Sequence, residues 1–155
     1  MECAIYALGE LKKKRRGAVR QVLVLARRGE GLILLRDELN ALWRLPGAEP
    51  EGGESAEETA RRALGNAVGD AVFGVWPLCE FDVVDEGGAR RGGIAFIADV
   101  EDWPDERESH ARVFTRMPLS SQAAQPALMF ALHRWAGEHF DERLSIARLG
   151  EPALF

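Results

Sequence analysis

The sequence predicts a mixed α/β sandwich, in which strands enclose one helix along the chain and a second helix follows them. Three observations carry this expectation. The run Ala18 to Ala26 is mostly apolar and rich in β-branched residues, as in a strand covered on both faces. Ser55 and Glu58 stand at capping-box spacing, and Gly69 lies where the helix they start would stop. Leu128, Leu132 and Trp135 recur at helical spacing near the end of the chain.

Each element follows in order. Residues 3–8 are expected to form a first strand. After the basic run Lys12-Lys13-Lys14-Arg15-Arg16 comes the strand at 18–26. Arg28-Gly29-Glu30-Gly31 is a turn signal, and Leu32-Ile33-Leu34-Leu35 is the returning strand of a hairpin. Residues 41–47 lead into a loop crowded with Gly, Pro and Glu. The helix should run from Ser55 to about Val68, closed by a left-handed residue at Gly69. Phe73 to Val84 reads as strand, with Pro77 marking an edge or a bulge. Asp85-Glu86-Gly87-Gly88 turns the chain, and Arg91 to Val100 returns it. An acidic loop precedes a short strand near Val113-Phe114. The last helix should span about Gln125 to His139, with Pro126 suited to its first turn.

At 155 residues the chain fits one domain, taken as 1–155 with a tail from 141 to 155. A domain of this size buries roughly 70% of the surface its unfolded chain exposes, so it needs no disulfide or structural metal. Cys3 and Cys79 show no ligand spacing and are expected to be buried reduced thiols. The formal net charge of −5 excludes a general nucleic-acid coat. The run 12–16 reads as a solvated loop or as an electropositive rim that attracts phosphate. No apolar stretch approaches the ~20 residues that span a bilayer. The start Met1-Glu2-Cys3-Ala4 lacks the basic opening and apolar core of a signal peptide. A cytoplasmic protein without membrane or specific nucleic-acid partners is the expectation.

The most informative segment runs from Leu45-Pro46-Gly47-Ala48 through Glu54 and Arg62 to Gly69-Asp70. It resembles the Nudix box, a loop–helix–loop written G-x5-E-x7-R-E-U-x-E-E-x-G-U with U aliphatic. Trp43-x-Leu45-Pro46-Gly47 resembles the family's run into that box. The likeness is clearest over residues 17–140. It implies a Nudix-type α/β/α sandwich with a mixed sheet, a box helix and a C-terminal helix. Gly47 stands beside the first glycine position, which Ala48 occupies; Glu54, Arg62, Leu64 and Gly69 match. Ala63 replaces the glutamate after the arginine, and Asn66 and Ala67 replace the glutamate pair. Asp70 occupies an aliphatic position.

Positions 63, 66 and 67 are three and four residues apart, so in a helix they share one face. The resemblance implies that carboxylates on that face hold magnesium against a diphosphate. Magnesium is a hard ion that takes oxygen ligands. Two methyl groups and one amide lack the negative charge that collects it. The Lewis-acid contribution of such an ion is worth several kcal/mol at the transition state, and each 1.4 kcal/mol is about tenfold in rate. Glu54 near the helix N-terminus is favourable with the helix dipole and can pair with Arg62, a structural role that needs no metal.

Three readings follow. The first is a non-catalytic Nudix-fold protein that binds a nucleotide or other phosphorylated small molecule, with no cofactor. The second is an active pyrophosphohydrolase of a nucleoside diphosphate derivative, in which Glu54, Asp70 and Glu106 or Glu108 hold magnesium. The third is an interaction module, with the tail 141–155 docking on a second subunit of a homodimer or covering the chain's own core.

Overall fold

A computed structural model describes residues 2–9 and 19–148. The basic run 12–16 and the end of the tail, 149–155, lie outside the described residues. The strands are β1 (Glu2–Tyr6), β2 (Gln21–Arg28), β3 (Gly31–Arg36), β4 (Trp43–Arg44), β5 (Gly47–Ala48), β6 (Val72–Val84), β7 (Arg90–Asp102) and β8 (Ala111–Phe114). The helices are α1 (Ala56–Val68) and α2 (Pro126–Arg148), with a short 3-10 turn at Ser120–Gln122 before the second.

The described strands join in the order β1-β6-β7-β2-β3-β4, with β5 also on β2 and β8 on β3. The β2–β7 pair is parallel and every other pairing between these strands is antiparallel. The sheet is therefore mixed, as the sequence predicts.

Side-chain alternation sorts the core into two layers. In β2, Leu23 and Leu25 face a cluster that includes Leu128, Met129 and Leu132 of α2. Val22, Val24 and Ala26 face the other cluster, with Ala60, Leu64, Ala67 and Val68 of α1. β3 and β7 alternate in the same way, Leu34 and Ile97 toward α2 and Ile33 and Phe96 toward α1. The sheet is thus sandwiched between the two helices.

Pro77 marks a bulge and also lies on an open stretch of β6, because among the described strands β1 pairs with β6 only at residues 80–84. The register shifts between Pro77 and Cys79, leaving Leu78 as the extra residue. That shift changes parity. Val75 points to the α1 layer, whereas Cys79, Phe81 and Val83 point to the α2 layer.

Other boundaries differ in instructive ways. The first strand ends at Tyr6 rather than at residue 8. The segment 41–47 contributes β4 and β5 instead of serving only as a lead-in. α2 continues to Arg148, so residues 141–148 are helix and not tail. Residues 140–148 contain neither Gly nor Pro, and nothing local stops the helix there. Its start is sharp: Gln125 takes a positive φ of 45° ahead of Pro126, whose ring disfavours helical geometry in the preceding residue. Both cysteines are free, but only Cys79 is buried; Cys3, on the edge strand β1, is half-buried. No helix among the described residues is long and apolar enough to cross a membrane.

Candidate functional site

α1 begins as the sequence predicts. The Ser55 side chain accepts from the Glu58 amide at 3.1 Å, and Glu58 Oε1 accepts from the Ser55 amide at 3.1 Å. At the other end the Gly69 amide donates to the Gly65 carbonyl. Gly69 has φ 62° but ψ −128°, so it is not the left-handed helical residue expected. Its positive φ still favours glycine. A β-carbon there would also stand 3.0 Å from Asp105 Oδ2.

Glu54, before α1, and Arg62, within it, form a closed unit. Glu54 Oε2 accepts from Arg62 Nε at 2.9 Å. Its Oε1 accepts from Arg62 Nη2 at 3.0 Å, from Thr59 Oγ1 at 2.7 Å and from the Glu51 amide at 3.1 Å. Arg62 Nη2 also donates to the Glu49 carbonyl at 2.9 Å, and Arg62 Nη1 lies 3.5 Å from Glu51 Oε1. The Glu54 side chain is 16% exposed. The bonds from Arg62, then those from Thr59 and Glu51, hold its carboxyl down to about 2. Arg62 is correspondingly raised by its bond to Glu54. With four hydrogen bonds accepted, three of them at Oε1, this carboxylate ties the loop before the helix to α1.

The face of α1 at positions 63, 66 and 67 lines a cleft of about 760 Å³. Gly47, Val68 and Gly69 continue the wall, Arg36 and Arg44 bring cations, and Asp37, Glu38, Asp105, Glu108 and His110 bring acids and an imidazole. Ala63 and Ala67 are each 4% exposed, while Asn66 is exposed. Ser109 fastens the acidic loop to the helix: its Oγ donates to the Ala67 carbonyl at 2.8 Å and accepts from the Ala111 amide at 3.0 Å. His110 Nδ1 lies 3.7 Å from Glu38 Oε1.

The acids that could stand in as metal ligands do not gather. Glu54 is held by Arg62, and Glu106 faces Arg28 at 3.8 Å. Asp70 is exposed and is not among the residues lining the cleft, whereas Glu108 is. Among the described residues no three of His, Cys, Asp and Glu come together as a group able to hold a metal ion. Two alanine methyls and one amide do not fit a magnesium ion, which needs oxygen donors and prefers charged ones.

Asp37, Glu38, Asp105 and the arginines at 36 and 44 were not singled out from the sequence. Arg44 had a local signal, as the charged residue inside Trp43-x-Leu45-Pro46-Gly47. The others reach the cleft only through the pairing of β3 with β4 and β8.

No protein-family model matches the sequence, and no curated protein matches it. Solved structures do. The Bacillus subtilis pyrophosphohydrolase RppH superposes with a TM-score of 0.60 at 20% identity, over 75% of this chain and 73% of that one. A Nudix hydrolase from Nitrosomonas europaea gives 0.62 at 13% identity, over 78% and 90%. The Ap4A hydrolase of C. elegans gives 0.59 at 15%, over 80% and 99%. The chain has the Nudix fold. Within the Nudix fold, α1 is the box helix and α2 the C-terminal helix, as the sequence resemblance implies. At these identities the likeness is one of architecture, and the chemistry rests on this chain's own residues.

Proposed function

We propose that this Nudix-fold chain binds a nucleotide-like or other phosphorylated small molecule beside its box helix and does not perform magnesium-dependent pyrophosphate hydrolysis. One observation carries the reading: the cleft wall at Ala63, Asn66 and Ala67 offers no carboxylate, and the surviving Glu54 already accepts four hydrogen bonds. A carboxylate so occupied has little capacity left for a cation. Losing the ion's several kcal/mol lowers the rate on the order of thousands-fold. The ligand class is supported by fold analogy with structures named as a pyrophosphohydrolase and an Ap4A hydrolase.

The test is a panel of nucleoside diphosphate derivatives incubated with magnesium or manganese. We expect no metal-dependent release of phosphate or nucleoside monophosphate, and no stoichiometric magnesium binding by calorimetry. Metal-dependent turnover would overturn the non-catalytic half of the reading. It would favour an active hydrolase with relocated ligands, for which the presence of Asp105 and Glu108 in the cleft is the supporting observation. In that case Glu108→Gln should abolish the turnover.

A further inference from the structure

Beside the cleft, and sharing Arg44 and Gly47 with it, lies a smaller pocket of about 170 Å³ lined by Arg20, Arg44 and Arg91 together with Gln21, Leu23, Ala48 and Glu49. We propose that these arginines form the phosphate-binding subsite of the ligand, so that guanidinium groups take the anionic charge that the box helix cannot pass to a metal.

The fold brings the three together from separate strands. The Arg20 amide donates to the Gly92 carbonyl at 3.0 Å, which sets Arg20 next to Arg91 at the start of the parallel β2–β7 pair. On the other side of β2, Val22 pairs with Ala48 and Leu23 with Gly47, bringing the end of the Trp43–Gly47 segment alongside. That approach depends on glycine, because a β-carbon at Gly47 would sit 2.6 Å from Leu23 Cδ2 and 2.8 Å from the Val22 carbonyl oxygen. Arg44 then stands at the junction of the two pockets.

Their state of pairing separates these arginines from Arg62, Arg28 and Arg61. Arg62 is bound to Glu54, Arg28 to Glu106 and the Glu101 carbonyl, and Arg61 lies against Glu57. Among the described residues the guanidinium groups of Arg20, Arg44 and Arg91 have no ion-pair or hydrogen-bond partner. All three are exposed, so none has lost its hydration to burial. Three cations face one carboxylate, that of Glu49. The main cleft has the opposite balance, with Arg36 and Arg44 against Asp37, Glu38, Asp105 and Glu108. Without a metal, a diphosphate is repelled by that acidic wall and attracted to the arginine pocket. A planar guanidinium matches phosphate oxygens two at a time, and an arginine trio can hold a diphosphate with no dication between them. The remainder of the ligand then extends past Arg44 into the main cleft, where carboxylates can accept from sugar hydroxyls.

This inference rests on the binding half of the function proposed above, and the experiment separates the two. Calorimetry measures ADP and inorganic pyrophosphate binding to the whole chain in EDTA. Arg20→Gln, Arg44→Gln and Arg91→Gln are compared with Arg134→Gln, an exposed arginine on α2. We expect wild-type protein to bind both probes, each pocket substitution to weaken binding on the order of tenfold, and Arg134→Gln to leave it unchanged. Affinity should also fall as salt rises. ADP binding that all three pocket variants retain would overturn the arginine subsite and leave the functional reading standing. If wild-type protein binds neither probe, the subsite and the ligand class both fall. Should magnesium-dependent turnover appear while the pocket variants raise KM without changing kcat, the non-catalytic reading falls and the subsite stands.

Discussion

The engagement of Glu54 can be read directly from its titration. Replacing Arg62 with Met removes two of the four hydrogen bonds on the carboxylate and the nearest positive charge. In the native protein the group should titrate at about 2 instead of the ordinary 4.5. At pH 3.2 the native carboxyl is then roughly 95% ionised, and one returned to the ordinary value is roughly 5% ionised. Thr59 and the Glu51 amide still donate to it in the variant, so its value should rise toward 4.5 without fully reaching it. Carbon-detected NMR of the side-chain carboxyl measures both midpoints. The linked stability has a definite sign. Because the folded-state value is depressed, the stabilisation is complete above 4.5 and is lost as pH falls toward 2. The native melting temperature should therefore fall across that window, and Arg62→Met should flatten this part of the profile. A native midpoint near 4.5 would refute the reasoning. It would mean a carboxylate free for a cation, and the case against metal binding would lose its second support.

Further outcomes follow from the same geometry. The triple substitution Ala63→Glu, Asn66→Glu and Ala67→Glu should create calorimetrically detectable magnesium binding; because two of these sites are 4% exposed, the variant should melt lower in EDTA and regain stability with magnesium. Leu64→Ala empties a fully buried position in the α1 layer and should cost about 2–5 kcal/mol in urea unfolding. Ser109→Ala leaves the Ala67 carbonyl and the Ala111 amide without their partner and should cost about 1–3 kcal/mol, measured in the same way. Gly69→Ala should cost about 1–2 kcal/mol through its positive φ and the nearby Asp105, with proteolysis of the 103–110 loop as a sensitive readout.

Much of the box segment was legible because its signals are local. Ser55 and Glu58 bond to each other's backbone across three residues, and the spacing of Glu54 and Arg62 already suggested a pair. The expectation at Gly69 was only partly right, since its φ is positive but its ψ depends on how the chain leaves toward β6. The extent of α2 was misjudged because the apolar stripe that marked it stops at Trp135, whereas the helix needs only the absence of a breaker to continue. Pro77 announced an irregularity, but which face each flanking residue takes followed from pairing with β7.

Sequence alone determined the capped helix, the apolar run that becomes the buried strand β2, and the absence of carboxylates at 63, 66 and 67, because each depends on residues within a few turns or strand positions of one another. Only the tertiary structure decided that Arg20, Arg44 and Arg91 share a pocket, that Asp105 and Glu108 enter the cleft while Glu106 turns to Arg28, and that Ser109 fastens the loop to α1. Those residues are tens of positions apart, and strand order and register bring them together. That order reflects the burial of the whole core, a property no short window of sequence contains.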